Sequence, residues 1–244
     1  RALIDRGAAG KDVREAVRTI VAAVREGGDD ALRRLTAEFD GVVVPRFEVT
    51  AERRRAALES IPVNVRQALA RAAGNIERAH QAWLPRGARV EPEPGVELWR
   101  MPFPLARVGI YAPGGRAAYP SSVLMGVVPA RVAGVGEVIV VSPPGSDGLP
   151  SPLVLAAAEI GKADRVFAVG GAQAIAALAF GTEAVPRVDR IFGPGNAWVT
   201  EAKLQVSHRV GIDNPAGPSE VLVVTDSTQP DFVAGELVAQ AEHD

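Results

Sequence analysis

Residues 166–196, VFAVGGAQAIAALAFGTEAVPRVDRIFGPGN, decide the architecture. A short apolar run breaks at Gly170 and Gly171. It continues as an alanine-rich segment with Ile175, Leu178 and Ala179 at helical spacing, and closes with Arg190 to Phe192 before GPGN. That order is strand, glycine turn, helix, strand, glycine turn: one βαβ unit with a second beginning. In open parallel sheets ligands sit beyond the carboxyl ends of the strands, where the following loops converge. Both turns fall at such ends, so Gln173 and Asn196, the polar residues just past them, are expected to face one crevice. The competing reading is that each glycine only lets the chain turn sharply after a strand.

The alternation extends in both directions. Upstream, RVGIYAP reads as a strand ending in GGR, and a helix follows Ser121, with Pro129 expected to kink or end it. EVIVVSPP is a strand, and Ser151 with Pro152 opens a helix that ends at Gly161. Downstream, AWVTEAKLQVSHR reads as a helix, and a loop rich in Pro and Gly leads into a strand at EVLVV. Alternation at this period implies parallel strands with right-handed crossovers.

The first hundred residues have a different texture. Asp12 and Glu15 form a capping pair for a helix whose stripe, Val13, Val17, Ile20, Val21 and Val24, stops at Gly27 and Gly28. A second helix runs from Asp30 to Phe39, Thr50 caps a third, and Pro62 starts a fourth. The fourth has its stripe at Val65, Leu69, Ala72, Ile76, Ala79 and Trp83. RVEPEPGVELWRM reads as a hairpin turning at Pro94 and Gly95. The expected organisation is therefore a first domain of residues 1–108 with 220–244, in which the final strand and helix return to the helical region. Residues 109–219 form a Rossmann-like second domain.

The chain of 244 residues is 47% hydrophobic and 23% charged with a formal net charge of -2, ordinary values for a globular protein. No basic block suggests nucleic acid, and no run of about 18 uncharged apolar residues suggests a membrane span. The absence of cysteine fits a reducing cytoplasm and removes any thiol nucleophile.

The dinucleotide fingerprint GxGxxG between a strand and a helix is missing; GVGEVI at Gly134 and Gly136 precedes a strand, the wrong context. Phosphates would have to meet the turns APGGR, VGGAQ and GPGNA instead, two of which open helices. In the last helix Gln240 and His243 stand three apart, on one face about one turn apart, a workable spacing for two metal ligands. A solvated pair at a helix end is the plainer reading, and two ligands do not make a site. His80 beside its helix stripe reads as a packing or surface residue.

Taken together, GIYAPGGRAAYPSSVLM, the stretch 166–203, IDNPAGPSEVLV and QAEHD closely resemble the histidinol dehydrogenase family. The resemblance implies two intertwined Rossmann-like parallel-sheet domains, the first with a helical amino-terminal region, in a cytoplasmic homodimer that binds zinc. It implies oxidation of L-histidinol through L-histidinal to L-histidine with two NAD, in histidine biosynthesis. Carried over motif by motif, it assigns Tyr111, Gln173 and Asn196 to NAD, Ser219 to the substrate, and Gln240 and His243 to zinc and, through it, to histidinol. The family's acid and base, a Glu and His pair, and its remaining Asp and His zinc ligands have no equivalents in residues 1–244, so no catalytic residue is assigned and the chain reads as truncated at its carboxyl end. Glu242 points about 100° around the helix from His243 and is not promoted to the base.

Without cysteine, oxidation of an aldehyde to an acid needs water to add with the help of a base, which suits a metal-anchored substrate. Two alternatives stay open: a related zinc and NAD dehydrogenase of another polar alcohol, and a nucleotide-binding fragment without turnover.

Overall fold

A computed structural model describes residues 10–114, 118–214, 222–226 and 229–241. Its centre is a five-stranded, wholly parallel sheet of β3 (Arg107–Tyr111), β4 (Glu137–Ser142), β5 (Arg165–Ala168), β6 (Arg190–Phe192) and β7 (Gly211–Ile212). The strand order is β5-β4-β3-β6-β7. The chain winds outward from β3 to β5, crosses back, and lays β6 against the other side of β3. That reversal between β3 and β6 is the topological switch point, where open α/β sheets bind ligands.

Helices cover both faces. Space for a Cβ at Gly109 is taken by Leu178 of α6 (Gly171–Phe180), while Ile110, the next residue, fills the space beside Gly126 of α4 (Pro120–Val132). Neighbouring residues of one strand point to opposite faces, so α6 and α4 lie on opposite sides of the sheet. Next to α6 are α7 (Ala197–Val206) and α1 (Gly10–Asp40); next to α4 are α5 (Pro152–Ile160) and α3 (Val63–Ala82), and α2 (Ala51–Ser60) packs on α5. Residues Ala172 to Ala179 of α6 are all buried, as a helix apolar on every side must be.

The amino-terminal helices follow the sequence pattern closely. The two expected helices are one element, α1, bent at Gly28, and Val17, Ile20 and Val24 of the expected stripe are buried. The Thr50 hydroxyl accepts a hydrogen bond from Arg53 N and caps α2. Helix α3 starts behind Pro62, and β1 (Ala88–Glu93) pairs with β2 (Val96–Arg100) as the expected hairpin. One apolar cluster joins Val17, Leu32, Phe47 and Ala57 to the sheet residues and α6, so this region and the parallel sheet share a core.

Three local expectations are corrected. Pro129 does not end α4, which continues to Val132. A strand at Gly211–Ile212 was not anticipated, because two residues carry no readable pattern. The described residues 222–226, which include the end of the expected EVLVV strand, form no strand, and Leu222 and Val224 are exposed. The described residues hold one parallel sheet of the two that the resemblance implied.

The β5 edge is not open. Val49 N donates to Val166 O and Ala168 N to Phe47 O, at 2.8 and 2.7 Å, so residues 47–49 line that edge. Arg165 clasps Glu48 through two bonds, 2.9 and 2.7 Å, which hold the Glu48 carboxyl below its usual range.

Candidate functional site

The turns behind β3, β4 and β5 touch one another. Pro143, just past β4, fills the space beside Gly170 so fully that no larger residue fits there, and its ring also abuts Gly114 behind β3. Tyr111 closes β3, and its hydroxyl accepts a hydrogen bond from Gly171 N at 3.2 Å. The Gln173 side chain, itself buried, lies back over Gly171. The third turn joins from the other side: Gly193, with φ of +114°, sits so close to the Tyr111 carbonyl that a Cβ there would collide with it. Only glycine meets both conditions at once. The APGGR, VGGAQ and GPGN turns thus meet at the carboxyl edge of the sheet, although Gly115 and Arg116 lie outside the described residues.

Burial pushes the Tyr111 phenol up to about 12; Gly171's hydrogen bond works against that shift, and the nearby Asp40 carboxylate adds to it. The hydroxyl therefore stays protonated across physiological pH, accepting from Gly171 and keeping its own proton to donate. Asp40, the last residue of α1, is itself pushed up to about 6 by burial. Asp40 Oδ2 and Ser142 Oγ, the latter at the end of β4, are buried without a hydrogen-bond partner among the described residues. Helix α6 starts behind Gly170 with no side-chain cap. Unspent polar atoms and an uncapped helix start at one sheet edge are what a phosphate- and hydroxyl-rich dinucleotide would use.

Asn196 is placed differently from a free contact residue. It is exposed, and its Oδ1 accepts from Trp198 N and Val199 N, both at 3.1 Å, as the cap of α7. Its amide oxygen is committed to the helix, which leaves the NH2 group for any ligand.

Sequence reasoning missed Lys203 and Asp213. The Lys203 ammonium bonds to Gly193 O and to Asp213 Oδ1, the latter at 2.6 Å, while the second carboxylate oxygen of Asp213 accepts from Gly193 N at 2.7 Å. A signal was present: Val199, Ala202, Lys203 and Val206 share the buried face of α7, and a lysine on an apolar stripe asks for a partner. Pro143 and Asp40 carried no comparable signal.

Of the remaining assigned residues, Gln240 stands on α8 (Pro230–Ala241), with its side chain outside the description, and Ser219 and His243 lie outside the described residues. Among the described residues no group of three or more His, Cys, Asp or Glu could hold a metal ion. His80 Nδ1 bonds to Ile76 O at 2.9 Å and its ring meets Trp83 edge-on, the packing role expected of it. No helix among the described residues is long and apolar enough to cross a membrane.

Alongside the site runs an apolar groove of about 950 Å³, lined by Trp83, Leu84, Phe103, Leu105 and Met125. It reaches the site at Gly193, Pro194, Asp213 and Asn214, and its lining does not include Tyr111, Gln173 or Asn196.

The histidinol dehydrogenase of Methanosarcina barkeri is 50% identical over 244 residues, covering 99% of this chain and 56% of its own length. That of Natronomonas pharaonis is 53% identical, covering 100% of this chain and 57% of its own. The crystal structure of histidinol dehydrogenase from Elizabethkingia anophelis superposes with a TM-score of 0.90 at 39% identity, over 96% of this chain and 54% of that one. The chain thus spans about half the length of these relatives. The family model of histidinol dehydrogenase matches residues 5–244, and the chain belongs to that family.

Proposed function

We propose that the protein acts as a histidinol dehydrogenase, oxidising L-histidinol through L-histidinal to L-histidine with NAD, and that residues 107–214 receive the cofactor. The observation that carries this is the meeting of three strand-end turns at Tyr111, Gly171 and Gly193, beside the switch point of a parallel sheet, in a chain of this family. NAD, when bound, supplies the hydride acceptor for both oxidations. Within this chain, Tyr111 offers a phenolic proton to an acceptor on the cofactor while holding the start of α6 through Gly171. Asn196 offers its amide NH2 and keeps α7 capped, and Gln173 is held ready over the α6 turn. The first turn of α6, whose Gly171 N–H is taken by Tyr111, would turn its following backbone N–H groups toward phosphate.

Zinc is the second part of the proposal: Gln240 and His243 would hold it on the last helix with ligands from elsewhere, and it would orient the substrate's imidazole and amine. Ser219 would contact the substrate. The second oxidation would proceed by addition of water under general-base help, a route that asks no thiol of these 244 residues. A homodimer in the cytoplasm completes the reading, and the exposed apolar groove beside the site is the surface that further chain or a second copy would cover.

The test is calorimetric titration of NAD into the full-length protein and its Tyr111→Phe variant, with NAD reduction by L-histidinol measured in the presence of zinc. The expected result is saturable binding, weakened by roughly fivefold to tenfold in the variant, the worth of one hydrogen bond, together with turnover. A folded protein that binds no NAD refutes the cofactor reading, and binding without turnover leaves the nucleotide-binding alternative in its place.

A further inference from the structure

We propose that the ion pair of Lys203 with Asp213 holds the GPGN turn in its cofactor-receiving conformation, which makes both residues positioning residues of the dinucleotide site. This rests on the reading of the three turns as an NAD cradle. The Lys203 side chain is 2% exposed. An ammonium withdrawn from water to that extent is costly unless its protons are used, and here one goes to the Gly193 carbonyl and one to Asp213, whose other oxygen holds the Gly193 N–H. Gly193 gives its carbonyl to Lys203 and its N–H to Asp213, and Lys203 and Asp213 bond to each other. Three hydrogen bonds close a ring through the two peptide groups that flank the Gly193 Cα. The orientation of those peptides sets where Pro194 and Asn196 stand relative to Tyr111.

Helix α7 does not need the pair for its own integrity, since Asn196 caps it and α6 and α1 pack against it. Asp213 approaches from the far side, immediately after β7, so the pair ties the switch-point turn to the next strand end. The buried charges therefore act on the turn, where a shift of an ångström would displace the Asn196 amide from a bound cofactor.

The experiment measures NAD affinity by calorimetry and Tm in parallel, in the full-length wild type and in the variants Lys203→Met, Asp213→Asn and Lys203→Met with Asp213→Leu. Each single variant is expected to weaken NAD binding by about tenfold or more, the equivalent of one charge-assisted hydrogen bond, and the two losses should be non-additive. The double variant leaves no charge buried alone, so its Tm should recover while its affinity for NAD stays low; that split marks positioning rather than bulk stability. A folded Lys203→Met protein with wild-type affinity, or a double variant whose affinity recovers together with its Tm, overturns the proposal. A folded wild type that binds no NAD brings down the cradle reading and this inference with it, an outcome distinct from the other two.

Discussion

Asp40 illustrates how one carboxyl at the site trades stability for availability. Burial raises its pKa from 3.8 to about 6 in the folded protein. Below pH 4 it is protonated whether the chain is folded or not, and it has no effect on stability. Between pH 4 and 6 the unfolded chain ionises while the folded one does not, so a penalty grows, and it is complete above pH 6. Asp40→Asn should therefore raise Tm at pH 8 and leave it unchanged at pH 3.5, the gain being about 1 kcal/mol after allowance for the solvent that reaches a half-buried carboxyl. Thermal melts of both proteins across that range check the sign. Nothing in the sequence marked Asp40, because its cost arises from burial at the end of α1, which no local pattern shows. Gln173 and Asn196 drew notice because each stands just past a glycine turn, whereas Tyr111 was named only through the family resemblance. What a turn motif could not reveal is that Asn196 spends its oxygen on Trp198 and Val199.

At the scale of the elements, the glycine turns are shaped by their neighbours rather than by the strands they follow. Gly170 has Pro143 against it, and adding a methyl there must displace backbone. Gly170→Ala should cost about 1–3 kcal/mol, the range for overpacking, and lower Tm by several degrees. Gly74, inside α3, has only the end of the Arg78 side chain within reach. Gly74→Ala should accordingly stabilise by about 0.5–1 kcal/mol, because alanine is the better helix former. Denaturant unfolding of the two variants side by side gives opposite signs if the turn is crowded and the helix is not. Periodicity was enough for α1, α3 and α6, whose stripes are long, and capping chemistry was enough for α2 and α5, where Thr50 and Ser151 accept from Arg53 N and Leu153 N. Neither helped at β7, which is too short to show a pattern, or at residues 222–226, whose apolar run from Leu222 to Val224 forms no strand.

For the molecule as a whole, the decisive fact is the common core of the amino-terminal helices and the sheet. That the strands run parallel followed from the alternation of elements; their order and the burial of α1 against α6 did not, because nothing in a stripe of valines says which surface it will meet. A shared core implies that the two regions lose structure together. Leu32→Ala, in α1, should remove about 2–5 kcal/mol and shift the far-ultraviolet circular dichroism and tryptophan fluorescence transitions equally. Separate midpoints for the two probes would mean that the helices and the sheet unfold as independent units.

The segment at residues 47–49 carries one more consequence. Because it already satisfies the outer backbone groups of Val166 and Ala168, a neighbouring molecule finds no free ladder on that flank, and the other flank offers, among the described residues, only Gly211 and Ile212. Runaway stacking of copies by strand-to-strand zippering along this parallel sheet is thus blocked on one side and nearly footless on the other.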